Sequence, residues 1–160
     1  MVATASVSVP PRFTRQGLIG SAILAVGQAK NDGTGTISGG TVDTWALVAA
    51  DATNGSGVDY VYFMPTASAA STGTAAATGR VYRSTVNTGS TSSSNTYLLG
   101  EVNLPAVTAA APTSAQYPII WTPPHSGLIQ LAPGDYLLVQ TSINPNAGTA
   151  WVAHALYGHF

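Results

Sequence analysis

The chain has 160 residues and only 11 charged ones, five basic and six acidic, for a formal net charge of −1. At 7% charged residues, against roughly 25% in an ordinary soluble domain, its surface must be polar but mostly uncharged, and 52 Gly, Ser and Thr residues supply it. Near-neutral charge without a basic cluster gives no pull toward nucleic-acid phosphates or an anionic membrane, and the lack of cysteine excludes disulfides, thiolate zinc sites and a thiol nucleophile.

Val2 to Val9 alternates apolar with small or polar residues until Pro10-Pro11 stops regular pairing, because proline has no ladder donor. This predicts an extended N-terminal arm followed by a first strand over Leu18–Val26. That apolar run is shorter than the ~20 residues of a membrane helix. A secretory leader, with Arg12 and Arg15 ahead of the apolar run and Ala29 near a cleavage point, is the alternative and ranks below the strand. Asn31–Gly40 reads as a glycine-rich loop with a short strand at Thr36–Ser38.

From Thr41 onward, short β signals alternate with turn residues. They predict strands at Val42–Ala49, Asp59–Met64, Gly79–Val86, Tyr97–Leu104, Pro118–Trp121, Ser126–Leu131, Tyr136–Ile143 and Ala150–Tyr157. The loops include Asp51–Gly57, Ala67–Thr78, Thr88–Asn95, Ala109–Ala115 and Asn144–Thr149. No apolar 3.6-residue period lasts a helix length, so the chain is all-β. In the last strand Trp151, Ala153, Ala155 and Tyr157 share one face and Val152, His154 and Leu156 the other, and neither is plainly a solvent face. Eight or nine such strands fit a two-sheet β-sandwich better than one flat sheet, and the resemblance given below implies the jelly-roll type. The expected division is residues 1–30, an N-terminal arm and first strand, and residues 31–160, the sandwich.

Reactive groups are few. No serine has the glycine setting of a nucleophile elbow; Gly35-Thr36-Ile37-Ser38-Gly39 places its serine one position late. The histidines are His125, His154 and His159, and the last two point to opposite faces of a continuous strand, so a packed His154 and an exposed His159 are preferred to a metal pair. Asp51, Asp59 and Asp135 stand beside turn glycines or strand starts, where aspartate satisfies backbone donors. Gly33-Thr34-Gly35 lacks the third glycine and the helix of a dinucleotide loop. Asn54-Gly55-Ser56 is a formal glycosylation triplet, but Asn-Gly is itself a turn signal. Arg80 and Arg83 differ in parity, which suggests that one pairs with an acid while the other lies along the surface. Trp45, Trp121 and Trp151 fit core or interface packing better than a sugar-stacking platform. The chain is therefore read as a non-enzyme with no catalytic set, no metal and no cofactor.

Four stretches, in order, carry a resemblance: Asp32-Gly33-Thr34-Gly35-Thr36, Asn54 to Asp59, Leu99 to Ala106 and Leu131 to Val139, followed by Ala150-Trp151-Val152 and the closing Gly158-His159-Phe160. Over residues 31–160 the chain resembles the small structural virion proteins of tailed bacteriophages. Ile129 to Val139 is also similar to the strand-turn-strand of jelly-roll modules of the tumour necrosis factor and complement type. The virion resemblance implies a protein made in the bacterial host cytoplasm that decorates or cements a capsid shell across neighbouring subunits. Its implied partners are the major capsid protein or other virion proteins and further copies of itself, as dimer or trimer, without nucleic acid or membrane. The arm is the expected capsid contact, with Arg12 and Arg15 as charges and Phe13 as anchor. The alternative is a tail- or fibre-associated receptor or glycan-binding module in which Trp45, Trp121 or Trp151 stacks on sugar.

Overall fold

The computed structural model describes residues 15–24, 35–37, 45–67, 75–86, 89–91, 94–107, 118–123, 127–142 and 149–160. These form eleven strands and no helix: β1 (Arg15–Leu24), β2 (Gly35–Ile37), β3 (Trp45–Ala49), β4 (Ser56–Ala67), β5 (Ala77–Ser84), β6 (Gly89–Thr91), β7 (Thr96–Leu104), β8 (Ile119–Trp121), β9 (Ile129–Leu131), β10 (Tyr136–Thr141) and β11 (Thr149–His159). Consequently no helix of the described residues is long and apolar enough to cross a membrane.

All pairings are antiparallel. The first sheet runs β1-β11-β4-β8, with β9 also on β4; the second runs β3-β10-β5-β7; β2 and β6 form a separate two-stranded ribbon. β8 lies against Val61–Phe63 and β9 against Ser56–Val58, so two short strands together line one side of β4. The pairings nest: β1 takes the last strand, β3 takes β10, β4 takes β8 and β9, and β5 takes β7. The chain thus alternates between two sheets, which bury a common core between them.

Alternation makes these segments strands, and bulges explain where alternation fails. Val58, Val61 and Phe63 all reach the core from β4 although Val58 and Val61 are three apart. The register shift between Leu156 and Tyr157 of β11 leaves Asp59 as an extra residue, and the parity changes across it. A second shift, between Leu137 and Leu138 of β10, leaves Leu47 extra in β3, and Leu47 and Val48 are both buried. β10 is a central strand with Leu137, Val139 and Thr141 facing the core and Leu138 and Gln140 facing away, all of them buried. Trp151, Phe63, Leu24, Leu104 and Leu131 are the large side chains that fill the sandwich.

Gly100 of β7 sets one close approach. A Cβ there would fall 2.6 Å from Nε1 of Trp121, so the indole lies directly on the glycine backbone and bridges the two sheets. Without a side chain, Gly100 is the only residue type that leaves room for the ring.

The structure differs from the sequence reading at several points. β1 is bonded along β11 from Arg15 opposite His159 to Leu24 opposite Trp151, so residues 15–24 belong to the first sheet. β4 runs well past the expected Asp59–Met64 because β11 backs it along its length. β6 falls within the stretch expected as the Thr88–Asn95 loop, where a Ser/Thr/Gly composition hides a strand that pairs β2. Arg12 and Phe13 lie outside the described residues, as do the ends of the expected strands at Val26, Ser38, Val42 and Ile143.

Candidate functional site

Among the described residues, the outward side of the first sheet carries four of the six exposed large hydrophobic side chains. Register places Ile19 beside Leu156 and Tyr60; Ser21 beside His154, Tyr62 and Ile120; and Ile23 beside Val152 and Met64. Three rows across up to four strands therefore carry apolar or aromatic side chains outward. Ile19 is 63% exposed, Ile23 56%, Ile120 54% and Met64 40%; Tyr60, Tyr62, Val152, His154 and Leu156 are half-buried. No Lys, Arg, Asp or Glu stands in these rows; Asp59, the exposed bulge residue, sits at the Tyr60 end.

The middle row is organised. The Tyr62 ring stacks on His154 with centroids 4.8 Å apart and planes at 22°, and Tyr60 packs beside Tyr62 at 6.1 Å. The Ser21 hydroxyl is 2.8 Å from His154 Nδ1, across β1 and β11. These contacts fix the rings against the sheet and leave their outer faces to whatever covers them.

Elsewhere the ionic groups are used internally. Arg80 bonds Glu101, its cross-strand neighbour on β7, and Arg83 bonds Asp135, which overturns the expectation that one of the two arginines has no acid partner. The reason lies in register, which brings an acid within reach of each face of β5. Asp135 closes the turn before β10: its amide donates to the Ala132 carbonyl, its carboxylate accepts from the Ala132 amide at 2.9 Å, and Gly134 takes φ 79°. With Pro133 at the second position and Gly134 at the third, this is a type II turn. Asp51 Oδ1 accepts from the Thr53 and Asn54 amides, Asn54 first in strength, and this holds its carboxyl below the ordinary 3.8 with help from nearby His159. Asn54-Gly55 is thereby part of a turn, with Gly55 at φ 80°.

His159 is half-buried rather than fully exposed, because the strand continues past Gly158 and brings Nδ1 to 2.6 Å from the Ser56 hydroxyl. Trp121 is 6% and Trp151 0% exposed, so neither ring offers a sugar a stacking face. Trp45 opens β3, and nothing further is described of its side chain. Among the described residues no three of His, Asp and Glu gather as metal ligands would. Open cavities lined by described residues include one of about 430 Å³ between Arg83, Gln130, Pro133 and Phe160, and one of about 310 Å³ between Asp59, Thr122 and Leu128.

The sequence reading missed the outer face of the first sheet as a site, although one sign of it was visible. Val152, His154 and Leu156 give β11 a second side that does not look like a solvent face, and Ile19 and Ile23 do the same for β1. No protein-family model, curated protein or solved structure was found to match this chain.

Proposed function

We propose that this chain is a structural virion protein that decorates or cements a bacteriophage capsid shell, as a homo-oligomer bound across neighbouring capsid subunits. The observation that carries this reading is the uncharged apolar face on a sandwich whose Arg80 and Arg83 are turned to internal pairs. Such a surface is suited to being covered by neighbours, since short neutral side chains lose little rotamer freedom there. The nested pairing of β1 with β11, β3 with β10 and β5 with β7 supports the jelly-roll reading and, with it, the resemblance to small tailed-phage virion proteins. The segment before β1, with Arg12 and Phe13, together with Arg15 at the start of β1, is the proposed contact to the major capsid protein.

The glycan-binding alternative has less to stand on, because two of the three tryptophans that would carry it are inside the core.

A protein that binds only the assembled shell stabilises it. Shells from a phage deleted for this gene should rupture at a lower temperature than complete ones, and added purified protein should restore the difference. If the added protein neither binds deleted shells nor raises their rupture temperature, the reading fails.

A further inference from the structure

We infer that the outer face of the first sheet is a self-association surface, covered by a second copy of this chain seated sheet to sheet. The inference names the partner of the face used above, but rests on the face itself and can be tested without any shell.

Three observations lead to a second copy. The first is asymmetry within one molecule. On the second sheet, Leu138 and Gln140 point away from the shared core and are fully buried, and Tyr82 beside them is 3% exposed. The middle of that side is closed, and its exposed large apolar residue is Leu98 on the edge strand β7, opposite Tyr82, whereas the corresponding side of the first sheet stays open across β1, β4 and β8 at Ile19, Ile23, Met64 and Ile120. The second is area. With the exposures above, the face presents about 600 Å², at the upper end of what a lone domain leaves open. Two such faces remove about 1,200 Å² from water, above the ~1,000 Å² expected of a specific interface.

The third is charge. A partner of strong charge would find no ionic group to match in the three rows, whereas a second copy brings the same neutral set and no like-charge repulsion. A two-fold axis through the middle row lets each Tyr62–His154 stack meet its equivalent, the self-complementary arrangement a two-fold requires. Two sheets packed this way lie ~10 Å apart, the spacing of the sandwich itself.

The test is sedimentation equilibrium of the full chain at micromolar concentration, with Ile23→Glu and Ile120→Glu as separate variants and Leu98→Glu as control. Leu98 is 52% exposed on β7 of the other sheet, so all three changes meet solvent in the monomer and the fold should survive, as far-UV circular dichroism will show. The expected result is a wild-type and Leu98→Glu dimer, with both face variants weakened at least tenfold in association. A monomeric wild type overturns the inference, and so does a dimer that both face variants retain. A monomer that instead floats with phosphatidylcholine vesicles would show that lipid takes the face, and would likewise overturn it. The chain has no cysteine, so Tyr62→Cys provides a second reading: sheets ~10 Å apart are too far for a direct disulfide, but a short bismaleimide should bridge the two thiols across the two-fold, and absence of cross-linked dimer in a sedimenting dimer contradicts the sheet-to-sheet seating.

Discussion

Arg83 and Asp135 meet at a single carboxylate oxygen: Nε and Nη2 of the arginine each lie 2.6 Å from Oδ2 of the aspartate, which also accepts the Ala132 amide. One buried carboxylate therefore ties β5 to the turn that launches β10. The aspartate is 7% exposed and the arginine 38%, so water can replace the guanidinium more readily than it can reach the carboxylate's backbone partner.

Asp135→Ala should consequently cost about 2–4 kcal/mol, since it strands the Ala132 amide as well as the guanidinium. Arg83→Met should cost about 1 kcal/mol, as expected of a partly exposed partner. Urea denaturation of both variants and the double variant checks this, and the two losses should be clearly less than additive. Equal losses from the two single variants would contradict the role given to the turn.

Gly100→Ala tests the approach of Trp121. The added methyl would press on the indole between the sheets and should destabilise the protein by about 1–3 kcal/mol. Thermal melting reads the loss. A melting temperature unchanged from wild type would mean that the ring does not sit on the glycine.

Asp51 makes a pH prediction. The Asn54 and Thr53 amides, and His159 nearby, lower its folded pKa below the ordinary 3.8. A depressed carboxyl contributes stability above the unfolded value and loses it as pH falls through the folded one. Asp51→Asn keeps the turn but has no charge to titrate. The melting-temperature advantage of wild type over this variant should be steady at neutral pH and shrink as pH drops below 3.8. An advantage that stays constant down to about pH 2 would contradict the assignment.

The arm makes a prediction of a different kind. Arg15 already pairs His159 at the start of β1, so a deletion that spares the sheet must stop at residue 14. The shortened chain should melt close to wild type and fail to bind shells. Binding at full occupancy would remove Arg12 and Phe13 from the contact.

Much of the fold was legible in the sequence, and particular residues show why the remainder was not. Pro133-Gly134-Asp135 marks a turn by backbone chemistry alone, and the structure forms that turn, as type II. The strands on either side of it, and β7 and β11, follow from alternation. β6 could not be read because Gly89-Ser90-Thr91 has no apolar residue to signal a face. Bulges escape too: Asp59 and Leu47 disturb the parity of β4 and β3, and a bulge is set by the partner strand rather than by local composition. The open face is a property of register. Ile19, Tyr62, Met64 and Ile120 come from three separate strands, and only pairing places them on one surface.

The central claim is that this chain covers a shell in company with its own copies. Cryo-electron microscopy of gene-deleted shells, imaged with and without added purified protein, tests it most directly. The account predicts extra density that bridges neighbouring capsid subunits and contains paired copies of the sandwich, joined through the face bearing Ile23 and Ile120. Shells without added density at saturating protein would contradict it.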